Sequence, residues 1–139
     1  MSGVSGAKDR VEELLEAARG AMERGSYAPY SNFNVGAAVL AEGEVFPGAN
    51  IENASYPMSV CAERNAVAAA VNAGKRSIDA VAVVTRAEEP TPPCGGCRQV
   101  LNEFGPEMLV VIEAAAGTRA EWTLPEILPH AFGPADLRT

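Results

Sequence analysis

Two mainly apolar segments in the second half of the chain limit its fold more than any other feature. Residues 78–85 read IDAVAVVT and residues 108–114 read MLVVIEA, and both are rich in β-branched side chains. An apolar run of this length is typical of a strand that is covered on both faces, as in a parallel sheet. A helix predicted over residues 95–104 provides the crossover that such a pair of strands requires. The pattern therefore predicts an α/β fold.

The other elements are predicted from hydrophobic spacing and turn residues. Apolar residues between Val11 and Met22 recur at helical spacing, and the alanine-rich residues 61–73 form a second helix that Gly74 ends. Pro47 cannot donate to a ladder, so the second strand of the predicted hairpin lies at an edge. The remaining predictions are hairpin strands over 33–40 and 44–52, a fifth strand over 119–123 and helical turns over 125–128 and 134–137.

This order of elements predicts one domain over residues 1–139. The fold class is an α/β three-layer α/β/α sandwich with a mixed, partly parallel five-stranded sheet. Residues 1–8 are small and polar and lack the apolar core of a signal peptide, so we predict a flexible tail and a cytoplasmic location. No apolar stretch reaches the length of a membrane span.

The charge balance argues against two classes of partner. The chain has 11 Lys and Arg against 18 Asp and Glu, which gives a formal net charge of −7. Affinity for a nucleic-acid backbone comes from Lys and Arg side chains that release counterions, and the sequence has no basic run. The same charge disfavours an anionic membrane surface. We therefore expect neither nucleic acid nor a membrane as the partner.

The three cysteines are the strongest chemical signal. Cys94 and Cys97 are three residues apart at the start of a predicted helix, and Cys61 stands at the start of another. An odd number of cysteines fits a disulfide framework poorly and fits a metal site or a catalytic site better. Three thiolates would bind one zinc ion and leave a position for water. The pair alone is equally compatible with a redox pair, and His130 is a weaker candidate for a fourth ligand of a closed site.

Glu63 follows the first cysteine by two residues, within the motif Cys61-Ala62-Glu63-Arg64. At the start of a helix, this spacing directs the carboxylate towards the open side of the metal. A zinc-bound water needs a base to accept its proton. A glutamate in the first turn of a helix is, taken alone, a favourable partner of the helix dipole. Together with the three cysteines, Glu63 becomes a candidate general base.

These motifs are similar to those of the cytidine and deoxycytidylate deaminase superfamily. More narrowly, the chain resembles small zinc-dependent cytidine deaminases over nearly its whole length. The matching stretches, in order, are residues 27–33 (YAPYSNF), 50–56 (NIENASY), 61–64 (CAER), 93–100 (PCGGCRQV) and 128–132 (LPHAF). The sequence departs from the family's usual pattern in having a second proline, Pro92, before Pro93-Cys94.

The resemblance implies a role for each matching residue at the metal. Cys61, Cys94 and Cys97 would hold one zinc ion per chain, and Glu63 would shuttle protons. Arg64 would donate to a thiolate sulfur and so withdraw part of the negative charge that three thiolates place on the metal.

The resemblance also implies the substrate contacts. Asn50 and Glu52 would bind the ribose, and their spacing of two is that of side chains on one face of a strand. Phe33 would form a wall of the base pocket, and the backbone of Ala62 would meet the pyrimidine edge. Tyr56 and Phe132 would reach the site of a neighbouring subunit. All of these residues also have plainer interpretations, as core, interface or solvent-facing side chains.

The function implied is hydrolytic deamination of cytidine and 2′-deoxycytidine to the uridines and ammonia, in pyrimidine salvage, by a homotetramer with shared sites. A deaminase acting on bases in RNA or DNA, or on a cytosine-containing antibiotic, would use the same metal core. A zinc-stabilised module without catalysis is the alternative from a different class, and it would have no use for Glu63 or for an open metal position.

Overall fold

The structure, a computed structural model, describes residues 3–138 except for the side chain of Val4. Its strands are β1 (Val35–Ala41), β2 (Glu44–Ala49), β3 (Ile78–Thr85), β4 (Leu109–Glu113) and β5 (Arg119–Thr123). Its α-helices are α1 (Gly3–Ala7), α2 (Val11–Gly25), α3 (Ala62–Asn72), α4 (Gly95–Phe104) and α5 (Leu124–Ile127). Single 3₁₀ turns occupy Lys8–Arg10, Tyr56–Met58 and Pro134–Asp136.

The five strands form one sheet in the order β2-β1-β3-β4-β5. The β3–β4 pair is parallel, because α4 carries the chain back across the sheet between them, and the other three pairs are antiparallel. The mixed, partly parallel sheet predicted from the sequence is therefore confirmed. Pro47 lies in β2 at one edge of the sheet, which confirms its predicted position.

Helices cover both faces of the sheet, because side chains alternate along each central strand. Val81 and Val83 of β3 belong to a core with α3 and α4, whereas Ala80 and Ala82 belong to a second core with α2. The small residues of β1 and β3 let the helices pack close to the sheet. The result is the three-layer sandwich that the order of elements predicted.

Two predicted segments differ from the structure. The second hairpin strand ends at Ala49 and not at residue 52, because the backbone of Ile51 leaves the sheet and bridges Tyr27 and Val60. At the N-terminus, residues 3–7 form α1, and the side chain of Ala7 is buried against the second core. This differs from the flexible tail expected over residues 1–8, of which Met1 and Ser2 lie outside the described residues. None of the described helices has the length and hydropathy needed to cross a membrane.

A close backbone contact between β2 and α3 fixes the start of α3. A Cβ atom built on Gly48 would lie 2.4 Å from the backbone nitrogen of Ala66 and 2.8 Å from the carbonyl oxygen of Ala62. Because both neighbours are helix backbone, they cannot move aside as a flexible side chain could. Gly48 therefore permits the approach that places the first turn of α3, with Glu63, beside the sheet.

We predict that Gly48→Ala lowers the free energy of unfolding by about 1–3 kcal/mol, because the added methyl group overpacks a rigid contact. Chemical denaturation would measure the change. The matched control is Gly20→Ala in α2, where the nearest atoms belong to the flexible side chain of Arg24. That variant should gain about 0.5–1 kcal/mol from helix propensity. Equal stability of the two variants would contradict the role of Gly48.

Candidate active site

Two helix N-termini bring the three predicted thiols together. Cys61 is the N-cap residue of α3, Cys94 is the N-cap residue of α4, and Cys97 lies in the first turn of α4. The three Sγ atoms all lie within 4.8 Å of one another, and those of Cys94 and Cys97 are 3.4 Å apart. Both N-termini present the positive ends of helix dipoles to the cluster, which favours thiolates.

The protonation of the cluster shows why these thiols suit a cation. Hydrogen bonding from Cys97 lowers the pKa of the Cys61 thiol to about 6, whereas the bond to Cys61 and burial raise the pKa of Cys97. Cys61 thus loses its proton easily, and its negative charge opposes the loss of a proton from a neighbouring thiol. A divalent ion removes this conflict, since metal binding favours deprotonated ligands.

The donor set also fits zinc in its spacing. Zinc–sulfur bonds of about 2.3 Å in a tetrahedral shell require sulfur atoms about 3.8 Å apart, a spacing within the limits of this cluster. The three cysteines are the only such group among the described residues, and His130 is exposed and takes no part in it. The group is positioned to bind one metal ion.

Glu63 lies beside the cluster in the first turn of α3, and only 6% of its surface is exposed. Burial raises the pKa of this carboxyl to about 7, and the negative charge of nearby Cys61 acts in the same direction. A carboxyl with a pKa near neutrality both accepts and releases a proton readily, which is the property of a general acid–base group.

One cavity of about 250 Å³ joins the cysteines to the predicted base pocket. This volume is below the roughly 300–1,000 Å³ of pockets for drug-sized ligands, so the cavity suits a single small ring. Its walls are mainly apolar apart from Asn50, Glu63 and two threonines. The lining residues are Phe33, Val35, Asn50, Cys61, Ala62, Glu63, Val83, Thr85, Thr91, Pro92, Pro93, Cys94 and Cys97.

Asn50 is held firmly at the mouth of this cavity. Its Oδ1 accepts hydrogen bonds from the backbone amide of Val35 (3.0 Å) and the hydroxyl of Ser26, and its Nδ2 donates to the carbonyl of Phe33 (2.8 Å). One proton on Nδ2 remains for a ligand. The bond from Nδ2 also orients the segment that carries Phe33, a residue that is 43% exposed and lies two positions before β1.

Glu52 lies in a neighbouring hollow of about 260 Å³, together with Tyr56. Its carboxylate accepts hydrogen bonds from the backbone amides of Tyr30 (3.0 Å) and Ser31 (3.1 Å) and from the Ser31 hydroxyl. The hydroxyl bond, followed by the two amide bonds, holds the pKa of Glu52 below its usual value despite some loss of hydration. Glu52 and Asn50 are therefore anchored separately rather than by one strand.

Two predicted residues line neither the cavity nor the neighbouring hollow in the single chain. Phe132 is 59% exposed, and its carbonyl accepts hydrogen bonds from the side chains of Gln99 and Asn102. Arg64 is exposed, and among residues 3–138 its side chain has no hydrogen bond to a cysteine sulfur, although its charge contributes to the lowered pKa of Cys61. Their predicted roles in catalysis remain predictions.

Sequence reasoning did not single out several residues that build the site. Ser31 supports Glu52, Ser26 supports Asn50, and Val83 and Thr91 line the cavity. Ser31 could have been found, because it stands inside the matching stretch over residues 27–33. The other three carry no local signal, since their positions depend on how distant segments meet.

Comparisons with known proteins agree with this geometry. The sequence profile described as "Cytidine and deoxycytidylate deaminase zinc-binding region" matches residues 8–113. A cytidine deaminase from Sporosarcina psychrophila is 47% identical over 129 residues, which cover 91% of this chain and 94% of the relative. One from Halalkalibacterium halodurans is 45% identical, with the same coverage of both chains.

Solved structures give the same result. The crystal structure of a cytidine deaminase from Burkholderia pseudomallei is similar with a TM-score of 0.83 and 46% identity, and the match covers 87% of this chain and 98% of that one. For the cytidine deaminase from Mycobacterium tuberculosis, the TM-score is 0.75 and the identity 39%, over 88% of this chain and 96% of that one. With its three clustered thiols and buried Glu63, this chain belongs to the cytidine and deoxycytidylate deaminase zinc-binding family.

Proposed function

We propose that this protein is a zinc-dependent aminohydrolase that converts cytidine and 2′-deoxycytidine to uridine and 2′-deoxyuridine, with release of ammonia. The observation that carries the proposal is the arrangement of Glu63 and three thiols around one small cavity. A purely structural zinc site would gain nothing from a buried carboxyl that burial makes less favourable as an anion. The relatives named above support cytidine as the substrate.

The cysteine cluster prepares the reaction. Cys61, Cys94 and Cys97 would hold the metal, which, when bound, acts as a Lewis acid and lowers the pKa of a water molecule. Phe33, Val35 and Val83 give this space an apolar wall, which reduces its contact with bulk water. Exclusion of water strengthens the electrostatic interactions on which the chemistry depends.

Glu63 carries the protons. It removes a proton from the attacking water and delivers this proton to N3 of the ring, which makes C4 more electrophilic. After the oxygen adds to C4, Glu63 transfers the remaining hydroxyl proton to the exocyclic amino group, which leaves as ammonia. Its pKa of about 7 suits both directions of transfer.

Other residues in and around the cavity orient the nucleoside and adjust the charge of the cluster. Asn50 donates its free Nδ2 proton to the sugar. Glu52 would accept a hydrogen bond from a sugar hydroxyl once the bond from the Ser31 hydroxyl is broken. Phe33 packs against the base, and the backbone of Ala62 contacts the pyrimidine edge. Arg64 would turn towards a sulfur atom of the cluster and draw off part of its negative charge.

Assembly completes the site in this proposal. Tyr56 and Phe132 are 68% and 59% exposed and line no part of the cavity in their own chain. Contiguous exposed apolar side chains mark interaction surfaces, and the ring of Tyr56 lies 5.8 Å from that of Tyr30, which is also exposed. A homotetramer would let neighbouring chains supply both side chains to the site. We place this enzyme in the cytoplasm, where it would salvage pyrimidine nucleosides.

We predict that Glu63→Gln keeps its zinc but lowers kcat for cytidine about 10²–10⁴-fold, because the amide cannot shuttle protons. The loss of cytidine absorbance measures turnover, and elemental analysis measures the metal. The control is Glu16→Gln, an exposed change on α2 across the sheet, which should match the parent enzyme. Turnover by Glu63→Gln close to that of the parent would refute the assigned role.

We predict that shared sites allow two damaged chains to restore each other. Glu63→Gln chains supply an intact Phe132, whereas Phe132→Ala chains supply an intact Glu63. Co-expressed and purified as mixed assemblies, the two should show a kcat/KM for cytidine well above the mean of the separate variants.

The matched control mixes Phe132→Ala with the double variant Glu63→Gln/Phe132→Ala, in which no chain supplies the phenyl ring. That mixture should show no gain. If the kcat/KM of the first mixture does not exceed the mean of its components, Phe132 acts only within its own chain, and the proposal of shared sites is wrong.

A further inference from the structure

Helix α4 joins the metal-binding turn to a distant segment of the same chain. One guanidinium makes the connection: Arg98 Nε donates to the carbonyl of Pro93 (2.7 Å), and Arg98 Nη1 donates to the carbonyl of Ile127 (2.7 Å). Pro93 directly precedes Cys94, and Ile127 ends α5. The two carbonyls are more than 30 residues apart along the chain and share one side chain as their donor.

Five residues after Ile127, side chains of α4 bind the same stretch of chain a second time. Gln99 Nε2 donates to the carbonyl of Phe132 (2.8 Å), and the amide of the buried Asn102 donates to the same oxygen (3.3 Å). Asn102 follows Gln99 by three residues and Arg98 by four, so its side chain lies on the same side of α4 as theirs. Cys97 and Leu101 occupy the buried side.

The segment held in this way, residues 128–132, is anchored at its start, where Leu128 donates to the carbonyl of Leu124 and packs against the core, and after that by the bonds from α4 to Phe132. It is mostly exposed, and His130 takes a positive φ of 54°, a conformation that persists where the surroundings hold it. The ring of Phe132 projects from it into solvent in the single chain. Hydrogen bonds from α4 therefore account for much of its fixed geometry.

We propose that Arg98 is a positioning residue that couples the cysteine cluster to residues 128–132, so that binding of the metal also fixes the segment that presents Phe132. The inference rests on the proposed function in one respect, namely that Phe132 serves a catalytic site. A displaced Cys94 turn moves the Pro93 carbonyl, which releases one branch of the guanidinium. The Ile127 contact then loses its fixed donor.

Amide hydrogen exchange of the intact enzyme, before and after removal of zinc by a chelator, tests the coupling. In the parent protein, exchange in residues 128–133, where the amides of Leu128 and Gly133 are hydrogen-bonded, should become about tenfold faster without zinc, whereas α2 on the opposite face of the sheet should change much less. An equal acceleration in both regions, or none in residues 128–133, would overturn the proposal.

Two variants of Arg98 distinguish the effect of its contact with two carbonyls from the effect of its positive charge. Arg98→Met should show fast exchange in residues 128–133 with and without zinc. Arg98→Lys keeps the charge, but a single ammonium does not reproduce the planar fork, so it should behave like Arg98→Met. If Arg98→Lys or Arg98→Met responds to zinc as the parent does, the proposal fails.

The matched control is Arg76→Met, which removes a guanidinium that also binds two backbone carbonyls, those of Val71 and Lys75, at the end of α3. It should leave exchange in residues 128–133 responsive to zinc. Turnover of cytidine is measured on the same samples. An inactive parent enzyme would refute the proposed function, while the exchange data would still decide the role of Arg98.

Discussion

The crowding of three cysteine sulfur atoms at one point is the constraint around which this molecule is organised. Two of the sulfur atoms are 3.4 Å apart, and the hydrogen bond between Cys61 and Cys97 lowers the pKa of the first and raises that of the second. Two helix N-termini offset part of this cost, and a divalent cation would offset the rest. The fold can therefore be understood as a means of bringing α3 and α4 to one point.

Small residues make that convergence possible. Gly48 lets the backbone of α3 approach β2, and the alanines of β1 and β3 bring the helices close to the sheet. The parallel β3–β4 pair then directs the start of α4 to the same edge. Glu63 is buried as a result of this packing, and its raised pKa follows from its burial. Catalytic chemistry and close packing thus have one structural cause.

Most of the architecture could be predicted from the sequence, because its signals are local. The apolar runs that became β3 and β4, the Pro47 edge and the Gly74 cap each depend on a few neighbouring residues. The cysteines and Glu63 were found because their spacing from the helix starts is also local. The Ser26–Asn50 bond and the contacts of Arg98 join segments distant in sequence, so no periodicity reveals them. Helix α1, with its buried Ala7, was missed because a short polar segment carries little hydrophobic signal.

The proline in β2 has a consequence for how copies of this chain meet. An edge strand normally offers a row of free amides and carbonyls to any other extended chain. Pro47 is exposed on such an edge and interrupts the row of donors, since it has no amide proton. Strand-to-strand addition, the route to fibrils, is disfavoured on this side of the sheet. Contacts on this side of the sheet are left to side chains, whose shapes are specific, and not to backbone pairing, which any extended chain can provide.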